Sequence, residues 1–185
     1  MQHAHIIKPV QHWVEHLVIG LNLCPFAKHE WEKNRIRFTV SDAINEEQLL
    51  MALQAELELL NTDSTIETTL LIHPEVLQDF LDYNQFLDYA DRLLTQMELD
   101  GIYQIASFHP DYQFAGTAPD DVENYTNKSP YPMLHLIRED SLEQAIAHYP
   151  AIDQIPERNI EHLKKLGRPK MQALLHACFQ TTETD

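Results

Sequence analysis

Four short segments in which apolar and polar residues alternate, set between longer stretches with helical spacing, limit most strongly what this chain can fold into. Arg35–Val40 (RIRFTV), Ile66–Ile72 (IETTLLI), Gly101–Phe108 (GIYQIASF) and Met133–Arg138 (MLHLIR) read as strands. Ahead of them, Val10, Trp13, Val14, Leu17, Val18 and Leu21 recur three and four apart. That stripe predicts a helix from about Pro9 to Leu23, broken at Cys24-Pro25-Phe26. A helix from about Glu46 to Leu60, preceded by Ser41 or Asp42, separates the first two strands. Another, from about Glu75 to Met97, carries Val76, Phe80, Leu87, Leu93 and Leu94. After the fourth strand, Ser141 is placed to cap a short helix to His148. Two more helices cover about Pro156–Leu166 and Pro169–Phe179, with Gly167 suited to the C′ position between them. The alternation predicts an α/β or α+β fold: a single-domain sandwich over residues 1–185, with a four-stranded sheet packed by helices and a frayed tail at 180–185. At 185 residues, 44% of them hydrophobic, the chain can bury a core without disulfides or structural metal.

Charge excludes one class of partner. Thirteen Lys and Arg against 29 Asp and Glu give a net charge of −16, a field that repels polyphosphate, so nucleic acid is not expected. Residues 42–100 hold 14 acidic groups and one basic residue, Arg92, and read as solvated helix faces. Residues 154–170 invert the sign with Arg158, Lys164, Lys165, Arg168 and Lys170, offering a weak anion site, a dock for the acidic half, or solvated surface. Two cysteines, Cys24 and Cys178, are too few and too far apart for a disulfide framework or a CxxC site. No two of the four glycines have GxGxxG or GxxxxGK spacing, so neither standard phosphate loop is present. No basic-then-apolar leader and no 18-residue apolar run is visible, and the expectation is a cytoplasmic protein without a membrane span.

The stretch most suggestive of chemistry joins the third and fourth strands. Residues 109–132 form a 24-residue connection, longer than compact domains usually keep unless it has a role. Four aromatics (Tyr112, Phe114, Tyr125, Tyr131) and four prolines argue that it is ordered. It concentrates His109, Asp111, Asp120, Asp121, Glu123, Asn124, Asn127 and Ser129 between strand ends that should be rigidly held, which suits a functional loop. The same residues also serve turns and caps, so bracing of the sheet is the competing reading. A catalytic set would comprise His109 as base or ligand, Asp111 orienting it, Cys24 as nucleophile and Arg138 gripping an anionic group. Tyr112, Asn124, Asn127 and Ser129 would then bind substrate. Cys24 beside Leu23, Pro25 and Phe26 is more readily read as a small buried hydrophobe, since a helix C-terminus disfavours a thiolate.

Two metal readings arise. His109, His135 and Asp120 would suit a divalent ion such as zinc, manganese or iron(II), although their spacing does not force convergence. His12-Trp-Val-Glu-His16 is a literal HxxEH, the spacing of inverted zinc peptidases, but the apolar stripe leaves His12, Glu15 and His16 away from the core. His3 and His5 add adventitious chelating groups.

Three long motifs carry a resemblance: Leu21–Ala27 (LNLCPFA), Ser107–Gly116 (SFHPDYQFAG) and Glu123–Arg138 (ENYTNKSPYPMLHLIR). Together they resemble the bacterial family called domain of unknown function 1415, over roughly residues 9–165. The resemblance implies that Cys24, His109, Asp111, Asn124, Asn127, Ser129, His135 and Arg138 sit in the family's motifs, while HWVEH lies outside them. It brings no activity, substrate or cofactor. Two expectations therefore stand side by side. One is a small enzyme acting on a small polar or anionic substrate through a His/Asp/Cys or metal-assisted site. The other is a non-catalytic module that binds a small molecule or a protein. A pocket closed on titratable groups favours the first, and a flat surface of Tyr112, Tyr125 and Tyr131 the second.

Overall fold

The computed structural model describes residues 3–149 and 152–180. Four strands, β1 (Ile36–Val40), β2 (Thr68–Ile72), β3 (Tyr103–Phe108) and β4 (Met133–Arg138), form one mixed sheet in the order β1-β2-β4-β3. β1 and β2 are parallel, and the helix α3 (Glu46–Thr62) makes the crossover that a parallel pair requires. β4 inserts antiparallel between β2 and β3, with His135 opposite Leu70 on one side and Ala106 on the other. The α/β expectation holds, with helices packed on both faces of the sheet.

Strand alternation divides the core in two. Leu71, Leu134, Leu136 and Tyr103 face α3 and α4 (Phe80–Gln96), packing on Leu53, Leu57, Tyr83, Phe86 and Leu93. Leu70, Ile72, Met133 and Phe108 face the other way, toward the N-terminal helix and the C-terminal pair α6 (Ile155–Leu166) and α7 (Arg168–Gln180). Residues 181–185, where the tail is expected, lie outside the described residues.

Several boundaries differ from the sequence reading, each for a local reason. The first helix, α1, begins earlier (Ala4–Trp13) and contains Pro9, then continues as a π-helical turn over Val14–Ile19. Wide-turn hydrogen bonds run from Gly20 N to Glu15 O and from Leu23 N to Val18 O. Only glycine fits at position 20, because a Cβ there would lie 2.3 Å from His16 O. A short helix not anticipated from the sequence, α2 (Ala27–Glu32), follows the Cys24-Pro25-Phe26 break. The cap of α3 is Asn45, not Ser41 or Asp42; its side chain accepts from Gln48 N. α4 starts at Phe80, not Glu75, because Leu77 has a φ of 58° and Asp79 is extended and caps Leu81 N and Asp82 N. α5 (Glu139–Ala147) leaves β4 directly, so Ser141 lies inside it and does not cap it. Gly167 takes the expected turn between α6 and α7, with a φ of 78°.

Candidate functional site

The 109–132 connection is ordered, and its polar side chains are turned on itself. Asn124, fully buried, accepts from Phe114 N (3.0 Å) and Thr117 Oγ1 (2.8 Å) through Oδ1, and donates to Ala118 O (2.8 Å) through Nδ2. Asn127 Nδ2 donates to Ser107 O and Ser129 Oγ to Tyr131 O. Gln113 Nε2 donates to Thr117 O. A 3-10 turn over Val122–Thr126 packs on α6 and α7, where Asp120 meets Arg168 at 2.7 Å and Glu123 meets Lys164 at 3.8 Å. The basic C-terminal segment thus docks on this loop's acids.

His109 belongs to the same bracing. It is fully buried; Nε2 lies 3.1 Å from Leu77 O, a group that can only accept, so Nε2 carries the proton. Nδ1 accepts from Asp111 N at 3.0 Å, which occupies the remaining ring nitrogen. Burial holds its pKa below the usual histidine value. The ring packs among Phe80 and Tyr83, with Tyr112 beyond them, tilted against Phe80 and edge-on to Phe114. Asp111 touches the imidazole through its backbone, and its side chain is on the surface.

Arg138 is likewise occupied. Its guanidinium donates to Leu60 O and Asp63 O at the C-terminus of α3, to Ile66 O and to Tyr103 Oη. It caps a helix whose last carbonyls would otherwise lack partners. The HxxEH histidines stack face to face, ring centres 3.8 Å apart and 15° from parallel, so their in-plane lone pairs do not meet. His135, His109 and Asp120 have separate partners. Among the described residues no three His, Cys, Asp or Glu side chains form a group suited to hold a metal ion. The tyrosines make no flat face either: Tyr125 is buried, and Tyr131 packs edge-on against Phe179.

Cys24 lies elsewhere. Between the sheet face of Ile36, Leu70, Ala106 and Phe108 and a roof made by the π turn, the Cys24–Ala27 segment and α5 is a cavity of about 410 Å3. Its walls are almost wholly apolar. Cys24 lines it, together with His135 from β4; His109 does not. The roof is clamped from α6, where Arg158 donates to Asn22 O (2.9 Å) and Asn159 to Leu23 O (2.7 Å). Phe26 stacks edge-on against Tyr149 at 5.7 Å.

The cavity's few polar groups have defined states. Thr68 Oγ1 donates to Leu136 O at 2.5 Å, so at 2.7 Å from His135 Nε2 it must accept, and the imidazole carries its proton on Nε2. His135 Nδ1 therefore presents a lone pair, and no hydrogen bond reaches it among the described residues. Burial lowers the His135 pKa to about 4, so the ring is neutral at physiological pH. Burial raises the pKa of Cys24, outweighing the opposing effect of the Phe26 and Ala27 backbone N–H groups, so the sulfur is a thiol. At one end Arg35 bridges Glu30 (2.7 Å) and Glu67 (3.2 Å), and both carboxylates line the cavity. Glu67 Oε1 is buried with no hydrogen-bond partner.

Sequence reasoning thus reached Cys24 and His135 but missed Glu30, Glu67 and Thr68. One signal was available for the face of His135: alternation along β4 sets it beside Met133 and Ile137 on an apolar side, where a lone polar ring is conspicuous.

No curated protein and no solved structure matches the chain. A family described as Protein of unknown function (DUF1415) matches residues 5–173, nearly the whole length, and the chain belongs to that family.

Proposed function

We propose that the protein binds a small, largely apolar molecule in the cavity roofed by Cys24–Ala27, recognising it by a hydrogen bond donated to His135 Nδ1. The observation that carries this reading is a partly open apolar cavity of about 410 Å3 lined by His135, whose Nδ1 has no hydrogen-bond partner among the described residues. Pockets of roughly 300–1,000 Å3 with apolar walls and a few placed polar groups are the usual form of small-molecule sites. The states of the two reactive side chains favour binding over nucleophilic catalysis. A thiolate–imidazolium pair needs a lowered thiol pKa and a basic imidazole, whereas Cys24 is shifted up and His135 down. An imidazole with a pKa of about 4 accepts a hydrogen bond readily and is a weak general base at pH 7.

Indole is a suitable probe, being apolar with a single N–H donor, and N-methylindole is its control. Calorimetry should show indole binding to the wild-type protein, with N-methylindole at least about tenfold weaker, the loss expected for one buried hydrogen bond. Ala106→Phe and Ala145→Phe, which fill the cavity from the sheet and from α5, should each abolish binding. Unchanged indole affinity in both variants, each shown to be folded, would overturn the proposal.

A further inference from the structure

Resting on that reading, we infer that the cavity takes an alcohol, an uncharged molecule whose hydroxyl group donates to His135 Nδ1 and accepts from Ser141 Oγ. The charged groups around the cavity cancel. Arg35 bridges Glu30 and Glu67, and Glu30 also meets His29 at 3.7 Å. The remaining oxygen of Glu67 is buried away from the cavity. Arg138 donates to the Leu60, Asp63 and Ile66 carbonyls and to Tyr103 Oη. Two guanidinium groups thus stand against two carboxylates, all of them engaged. A charged ligand would lose its water there with no free counter-charge to replace it.

The groups left open are neutral. His135 Nδ1 is an acceptor, because Thr68 fixes the ring proton on Nε2. Ser141 lies in the first turn of α5 and lines the cavity, and its hydroxyl has no hydrogen-bond partner among the described residues. Cys24 is a thiol whose sulfur already accepts from the Phe26 and Ala27 backbone N–H groups. What it can still offer the cavity is its hydrogen, a weak donor. The wall therefore presents one acceptor and two donors. A hydroxyl group is their complement, with one proton to give and two lone pairs to fill. A ketone or an ether brings no proton and leaves His135 Nδ1 unmatched. A primary amide carries two N–H donors for a single acceptor, so one would be buried unpaired. The alkyl body of the alcohol meets Val14, Val18, Leu70 and Phe108. Ser141 is then the residue that tells an alcohol from a ligand with a donor alone, such as indole.

Octanol, 2-octanone, octylamine and octanoate have eight carbons each and differ in the polar group. Dissociation constants measured by calorimetry at pH 7 should place octanol at least about tenfold tighter than each of the other three. Ser141→Ala puts a favoured residue into a helix and should fold. It should weaken octanol at least about fivefold and leave indole unchanged, because the indole nitrogen has no lone pair for a serine to reach. Octanol no tighter than 2-octanone, or a charged member as the tightest ligand, overturns the inference. So does octanol affinity unchanged in Ser141→Ala, or indole weakened there as much as octanol. In each of these cases, indole binding that Ala106→Phe abolishes leaves the cavity reading standing while this one falls. Binding of neither octanol nor indole removes both.

Discussion

The 109–132 loop and the Cys24–His135 cavity divide the molecule's polar chemistry in opposite ways. The loop is rich in groups that look functional, and nearly every one is closed by another part of the loop or by the sheet end beneath it. Asn124 makes three hydrogen bonds, and both nitrogens of His109 are occupied. The cavity is poor in polar groups, yet one of its few, His135 Nδ1, has no hydrogen-bond partner among the described residues. A polar atom whose hydrogen bonds are already made does structural work; one in a cavity wall without a partner is available to a ligand. Density of chemical side chains is therefore a poorer guide to a site than the number left unmatched.

The sharpest way to break this contrast is Asn124→Ala. It leaves Phe114 N–H without its partner and takes one hydrogen bond each from Thr117 Oγ1 and Ala118 O, which keep Phe114 O and Asp121 N. With the space it opens in a fully buried place, it should cost about 2 kcal/mol. Chemical denaturation measures that loss. Indole affinity, read on the folded fraction, should be unchanged. A stability near wild type with weakened binding would reverse the roles given to the two regions.

How much of this was visible in the sequence follows the same division. Local pattern located the elements well, down to β4 at Met133–Arg138, because period-two alternation on a sheet is set by burial. It failed where one residue's backbone decides, as at Leu77, whose positive φ delays α4, and at the π turn, whose wide hydrogen bonds leave the apolar spacing intact. The loop was recognised as ordered from its aromatics and prolines. Whether His109 faced a substrate or Leu77 O was not legible, because a histidine serves either purpose with the same atoms. Arg138 is the same case: its partners on α3 are more than 70 residues away in sequence. The cavity itself was invisible, since an unfilled space leaves no mark on apolar periodicity.

Acid should separate the two faces of the sheet by a similar amount. His135 in the cavity and His73 beside Tyr83 are both held by burial at a pKa of about 4, against 6.5 for a free side chain. Between those values the unfolded chain binds protons that the folded chain refuses. Stability is then complete above pH 6.5 and falls as pH drops through 4, by up to about 3 kcal/mol for each histidine. Urea titrations between pH 7 and 4 should show this fall, and His135→Gln should remove one share of it and His73→Gln another. An acid profile unchanged by His135→Gln would mean that the ring is solvated and the cavity wet.

The smallest effect concerns Cys24 and distinguishes a binding cavity from a nucleophile's pocket most directly. A thiol whose pKa is pushed up by burial keeps gaining thiolate as pH rises from 7 to 9, because its midpoint lies above the ordinary thiol value. Alkylation of Cys24 by iodoacetamide, followed by mass spectrometry in a Cys178→Ser background, should therefore keep rising across that range. A rate already at its plateau near pH 7 would mark an activated thiolate and return the site to covalent chemistry. Saturating indole adds a second reading of the same sulfur. It should slow alkylation of Cys24, which shares the cavity wall with His135, and leave Cys178 in the wild-type protein unaffected, since that residue lies in the packed face of α7. Equal protection of both cysteines would show that indole tightens the whole fold without occupying the cavity.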